Sequence, residues 1–216
     1  NEWTGGINYF RNLFFALDQL ENKEVKIYVF VGTRTDVEIK SVFGKYATII
    51  EDEIFDRNSV KWFFLKIGQR FFNTNYFLEK VLKKHNIQIL SHSFLTKFKT
   101  IKTINWIPDF QHLHLPEMFS KKELKYRDKK FMSVIRESDR IIVSSNDTLN
   151  DLKTFAPGYE SNTKVLHFVS QPHKKYYEFS SDDEINLREK YKLTNEFFYL
   201  PNQYWMHKNH MLVFQA

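Results

Sequence analysis

The 216 residues predict an α/β fold, with a Rossmann-like parallel-sheet domain over residues 1–170 and the opening of a second Rossmann-like unit after it. Three observations carry this expectation. Short runs rich in β-branched and aromatic residues alternate with helical stretches of about ten residues or more, which is the signature of βαβ units. Several of these runs end in glycine or in clusters of Ser, Asn and Asp, which punctuate strands and cap the helices that follow. A composition of 42% hydrophobic and 27% charged residues supports a buried core and argues against disorder.

Thr4-Gly5-Gly6 is followed by Ile7, Phe10, Leu13, Phe14, Leu17 and Leu20 at helical spacing, so a glycine turn is expected to feed an amphipathic helix. Such a turn is either a plain helix start or an anion site built from the free N–H groups of the first helical turn. It normally follows a buried strand, and only Asn1-Glu2-Trp3 precede it, so the first domain is expected to lack its first strand. A strand over 25–31 ends at Gly32, a short helix is expected over 36–43 and a strand over 47–50. Residues 59–84 read as a long helical stretch, broken near Gly68 or at Asn73-Thr74-Asn75. Its aromatics, from Trp62 to Phe77, read first as one core stripe and second, beside Lys61, Lys66 and Arg70, as a face for a membrane interface.

A short strand over 87–90 runs into Ser91-His92-Ser93, and a strand over 101–107 leads into residues 106–120. Pro108 and Pro116 bias the residues before them away from the α region, which predicts an extended or turned loop from which Asp109, His112 and His114 project. A parallel strand that opens into a polar loop is where open α/β sheets bind ligands. The bland alternative is that these side chains are solvated or locally hydrogen-bonded. A charged helix is expected over 121–137 behind Phe119-Ser120, a strand over 140–143, and a helix to 155 capped from Ser144-Ser145-Asn146-Asp147 and stopped by Pro157-Gly158. A strand over 163–169 closes the first domain. A linker and connecting helix are expected over 171–195. The start of a second domain over 196–216 holds a strand at 197–200 and the first turns of a helix, too little to bury its own apolar face.

Lys and Arg exceed Asp and Glu by 32 to 26, an excess of +6 that suits anionic partners. The basic residues come in pairs spread along expected helices, which fits solvated faces, and no RRM-like or zinc-finger signature points to nucleic acid. The absence of cysteine excludes disulfides and thiolate metal sites and fits a reducing compartment. No apolar run of about 18 residues is present, nor a signal-peptide pattern at the start. A zinc site from His112, His114 and Asp109 is disfavoured by their crowding on a non-helical loop, so no metal is expected.

Four segments in this order and spacing resemble family 4 (group 1) glycosyltransferases of the GT-B fold. They are Trp3-Thr4-Gly5-Gly6-Ile7-Asn8-Tyr9-Phe10-Arg11-Asn12-Leu13, residues 106–120, Ser144-Ser145 before a helix, and Leu200-Pro201-Asn202-Gln203-Tyr204-Trp205-Met206-His207-Lys208-Asn209-His210. The resemblance implies two Rossmann-like domains facing a cleft, of which this chain holds the acceptor-side domain and the opening of the nucleotide-sugar-binding one. It implies transfer of a sugar from a nucleotide-sugar donor to an acceptor hydroxyl, with retention and without metal or other cofactor, in bacterial polysaccharide or glycoconjugate synthesis. The acceptor would be a sugar or lipid-linked sugar, and the location cytoplasmic, at the inner face of the membrane with peripheral association. Gly5 and Gly6 would donate N–H groups to the departing diphosphate and Lys208 would supply charge. Asn202 stands near the place of a family arginine and brings an amide without charge. Asp109 matches the second residue of a His-Asp pair whose histidine is here Pro108, and His112 would take over the contact with the sugar ring. The family's acidic pair for the donor sugar is expected beyond residue 216, so this stretch by itself is expected to be inactive. Two other readings stay open: a UDP-sugar 2-epimerase-like enzyme of the same fold, and a basic nucleic-acid-binding module.

Overall fold

In the computed structural model, which describes residues 4–21, 24–72, 74–172, 174–204 and 206–215, the chain forms two units, residues 1–170 and 171–216. The first unit runs α1 (Thr4–Asp18), β1 (Tyr28–Val31), α2 (Val37–Gly44), β2 (Thr48–Glu51), α3 (Val60–Phe71), α4 (Tyr76–Lys84), β3 (Ile89–Ser91), β4 (Lys102–Ile107), α5 (Gln111–His114), α6 (Lys121–Glu137), β5 (Arg140–Val143), α7 (Asn146–Phe155) and β6 (Thr163–Val165). All the strand pairs are parallel, β1 with β2 in one ladder and β3-β4-β5-β6 in another, so the α/β class with parallel sheets holds.

Alternation along the strands decides where the core lies. Ile141 and Val143 of β5 and Ile107 of β4 are buried against Phe131, Val134 and Ile135 of α6 and Leu152 of α7. A second cluster joins Leu65 of α3, Leu78 and Leu82 of α4 and Ile101, with Phe30 of β1 and Leu90 of β3 packed on it. Helix α1 lies against both ladders' neighbourhoods. Phe10 and Phe14 meet Phe43 of α2, while Tyr9 stacks on Trp106 at the end of β4.

The caps explain the helix starts. Ser120 and Glu123 form a reciprocal capping box on α6, and Ser145 Oγ accepts the Thr148 N–H on α7. The break in the 59–84 stretch falls at residues 72–75, where the N–H groups of Phe72 and Thr74 both donate to the Gly68 carbonyl and end α3. After β1, the chain turns tightly at Gly32, and the buried Asp56 carboxylate accepts from the Thr33 N–H, the Thr33 hydroxyl and the Arg34 N–H. These bonds, the Thr33 hydroxyl foremost, hold Asp56 below the usual carboxylate range.

Several expectations are corrected. Gly5 and Gly6 stand inside the first turn of α1, not in a turn ahead of it, because the helix already begins at Thr4. Residues 1–3, which precede them, lie outside the described residues. Residues 111–114 form a short helix and Pro116–Met118 a 3-10 turn where an extended or turned loop was expected. Asp109 Oδ1 accepts the Gln111 N–H and starts that turn, and Pro116, whose missing N–H costs nothing at a helix start, begins the next. In the second unit, residues 197–200 form no strand, since no other strand is available there to complete a ladder among the described residues. The expected linker holds the short helix α8 (Lys174–Tyr177), followed by α9 (Ser181–Tyr191) and α10 (His210–Gln215). None of the described residues of this unit is buried, as expected of too few elements to enclose a core. Among the described residues no helix is long and apolar enough to cross a membrane.

The turn after β1 yields a prediction. A Cβ on Gly32 would fall onto Asp56 Oδ1, well inside van der Waals contact, and displace the carboxylate from its donors. Gly32→Ala is therefore expected to lower unfolding stability by about 2 kcal/mol, measured by urea denaturation.

Candidate functional site

The carboxyl ends of the four-stranded ladder gather side chains from distant parts of the chain. Tyr9 arrives from α1, Ser91 and His92 from the end of β3, Trp106 from β4 and Ser144 from the end of β5. Tyr9 and Trp106 stack in parallel, 4.2 Å between centroids at 3°, and the Trp106 Nε1–H donates to Ser144 Oγ at 2.9 Å. Phe168, after β6, sets its ring edge-on against both aromatics. Tyr9, Trp106 and Ser144 are buried, while Phe168 is exposed and forms the outer wall.

His92 is held in the left-handed region, φ 58°, a conformation of real cost for a residue with a Cβ. Its backbone N–H donates to the Ile104 carbonyl, which leaves the ring facing α1. Nε2 lies 2.9 Å from the Tyr9 hydroxyl and Nδ1 lies 2.6 Å from Ser91 Oγ. Ser91 Oγ donates to the Ile104 carbonyl at 3.3 Å. With that proton committed, Ser91 accepts from Nδ1–H, and Nε2 accepts from the tyrosine hydroxyl. With a neutral imidazole each hydrogen of the relay has an acceptor: the tyrosine hydroxyl on Nε2, Nδ1–H on Ser91 and the Ser91 hydroxyl on the Ile104 carbonyl. Burial enforces that state: it lowers the His92 pKa to about 4 and raises that of Tyr9 to about 12.

The residues singled out in 106–120 fall into different roles. Asp109 is exposed beside the end of β4, with Oδ1 taking the Gln111 N–H at 3.0 Å. His112 is only 2% exposed and packs among the rings of Phe110, Phe131 and Phe155. Its Nε2 is 3.2 Å from Asp128 Oδ1, an ion pair only when the ring is protonated, and neither ring nitrogen has an aligned hydrogen-bond partner among the described residues. Burial lowers the His112 pKa, opposed by Asp128. In this arrangement the imidazole is a core group that fixes the loop, not a side chain open to a sugar ring. His114 is exposed and bonded to Asp151 of α7 at 2.8 Å, and Thr148 of α7 donates to the Pro108 carbonyl at 3.4 Å. The loop is thus pinned to α6 and α7 at three points.

Gly5 is open on the surface near the start of α1, where helix geometry leaves the first N–H groups outside the intrahelical ladder. Lys208 and Asn202 belong to the second unit, both exposed, Lys208 closing a 3-10 turn over Met206–Lys208. No group of three or more His, Asp or Glu residues suited to a metal ion occurs among the described residues. Two shallow cavities of about 380 and 410 Å³ lie away from the strand ends, one lined by Lys97, Thr103, Glu137 and Asp139, the other by Ser59, Val60 and Phe63. The candidate site is the cluster at the carboxyl ends of the strands, with Phe168 and Asp109 on its exposed side.

Sequence reasoning passed over Tyr9 and His92. The signal was present, because Ser91-His92-Ser93 is a polar triplet directly after an apolar strand, the same rule that singled out residues 106–120.

Two predictions follow from burial. His92 takes up its proton at about pH 4 when folded and near 6.5 when unfolded, so between those values the unfolded chain binds more protons and stability falls as pH falls. The loss is expected to reach about 3 kcal/mol by pH 4 and to shrink in His92→Gln, as read from denaturation midpoints across that range. His112→Ala leaves a hole among three phenylalanine rings and is expected to cost about 2–4 kcal/mol in the same assay, whereas His112→Phe retains most of the stability. Comparison with family models, with curated proteins and with solved structures finds no match for this chain.

Proposed function

We propose that this chain is the acceptor-side domain and the opening of the donor-side domain of a GT-B glycosyltransferase, which moves a sugar from a nucleotide-sugar to an acceptor hydroxyl. One observation carries the reading. Three of the four segments that resemble the family converge on one contact chain, Tyr9 stacked on Trp106 and Trp106 bonded to Ser144, at the carboxyl ends of parallel strands. Open α/β sheets bind their ligands in that place.

The chemistry asks for groups this chain has. A departing nucleoside diphosphate gathers negative charge, and preorganised N–H donors and a cation stabilise it. By the family resemblance, the first-turn N–H groups at Gly5 and Gly6 would donate from the first unit, with the helix dipole behind them, and Lys208 would bring positive charge from the second. Asp109, exposed at the end of β4, orients the acceptor hydroxyl and accepts its hydrogen bond. His112 acts through the loop, holding Asp109 in place from within the core. The neutral Tyr9–His92–Ser91 relay supports the strand ends without adding a charge there.

The reading is tested by incubating the protein with UDP-, GDP- and ADP-sugars and acceptor and measuring nucleoside diphosphate release. Failure to bind or cleave any of them would end it. Lys208→Ala is expected to weaken nucleotide affinity about tenfold in calorimetry, since a charge-assisted contact is lost. Asp109→Asn is expected to lower kcat with little change in donor binding. Gly5→Ala has open space for its methyl group and is expected to keep the fold while weakening nucleotide binding.

A further inference from the structure

Helix α3 carries two apolar faces. Leu65 and Gly68 face the core with Leu78 and Leu82 of α4. The other face, at positions 60, 63, 64, 67 and 71, recurs at helical spacing and points away from it. Phe63 is 58% exposed, Phe71 76% and Phe72 73%. The face continues onto α4 where Phe64 and Phe77 meet, their centroids 6.0 Å apart. This corrects the first reading of the stretch, in which these aromatics formed a core stripe. Monomeric soluble proteins rarely leave so many neighbouring rings uncovered, and such patches mark interaction surfaces.

The charges around the face select the partner. Lys66 and Arg70 border it on α3 and Lys80 on α4, and the sequence from Val60 to Leu78 holds no Asp or Glu. Lys66 lies over the Trp62 ring and Lys80 over the Tyr76 ring, so apolar stems and rings lie along the surface with the ammonium groups at its rim. Glu79 does not offset them: burial alone would raise its pKa, but donors from Lys99 and Thr100 hold it as a buried carboxylate turned into the β3–β4 connection. At the start of α3 Lys61 is paired with Asp52 and Glu53; along the rest of the face the border is cationic, and exposed aromatics with a cationic border are complementary to acyl chains beneath anionic headgroups. A protein partner of mixed charge would leave the rim unmatched.

We propose that the outward face of α3, with the start of α4, docks on an anionic lipid bilayer, Phe63, Phe64 and Phe71 entering the interfacial region and Lys66, Arg70 and Lys80 meeting lipid phosphates. This stands on the geometry of α3 and α4 and does not depend on the sugar-transfer reading.

The test is co-sedimentation of the 216-residue chain with vesicles of phosphatidylcholine alone and of phosphatidylcholine mixed with phosphatidylglycerol. Binding is expected to the mixed vesicles, weakened by high salt. Phe63→Ser with Phe71→Ser is expected to abolish it while the circular dichroism melt stays that of the parent, because both rings are exposed. Lys66→Gln with Arg70→Gln, a pair outside the core, is expected to weaken it about tenfold to thirtyfold. The proposal is overturned if the chain ignores the mixed vesicles, if it binds pure phosphatidylcholine equally well, or if both double variants bind like the parent. It is also overturned if sedimentation velocity in lipid-free buffer finds a dimer that the phenylalanine substitutions dissociate, since the face would then belong to a second copy.

Discussion

The connection from β3 to β4 is the constraint on which the rest of the first unit depends. Neighbouring parallel strands usually need a crossover of about a dozen residues or more, most often a helix. Here ten residues, 92–101, make the return without one. They do so by placing His92, Phe94 and Lys97 in the left-handed region, each at roughly 1 kcal/mol or more. The surroundings over-determine the path. Buried Asn105 donates to the Leu95 carbonyl, Asn75 to the Thr96 carbonyl and Lys130 to the Phe94 carbonyl, while Glu79 accepts from the N–H groups of Lys99 and Thr100. A loop with no ladder of its own thereby has its backbone groups paired by side chains from β4, α4 and α6.

That constraint sets the site. A left-handed residue directly after β3 turns the His92 ring toward α1, where it meets the Tyr9 hydroxyl. Tyr9 in turn lies flat on Trp106, and Trp106 is fixed from the other side by Ser144. Packing and hydrogen bonding therefore run in one line from α1 across the ends of β3, β4 and β5. Because desolvation lowers the His92 pKa and raises that of Tyr9, the line's titration is pushed away from physiological pH, which suits a support better than a proton carrier.

The loop after β4 illustrates how the same residue types divide by position. Asp109, His112 and His114 lie within six residues of one another, yet one is exposed at the strand end, one is enclosed by phenylalanine rings and one is bonded to α7 on the surface. The short helix Gln111–His114 makes the division: it turns the middle residue inward against Phe131 and Phe155 and leaves its neighbours outside. A helix with an apolar side facing the core and phenylalanine rings beside lysine and arginine facing out, as in α3, is the same physics at larger scale.

The sequence by itself determined the α/β class, the parallel order of elements, the caps on α6 and α7 and the break before α4, because these follow from local periodicity and from side chains that satisfy nearby backbone groups. It also pointed to the carboxyl ends of the strands, where Tyr9, His92, Trp106 and Ser144 come together. It did not determine that Tyr9 and His92 share a hydrogen bond, that His112 is buried, or that the aromatics of α3 face outward. Each of these depends on which face of an element meets which neighbour. Periodicity reveals that a helix has apolar positions, but only the packed structure decides how many of them the core has room to cover.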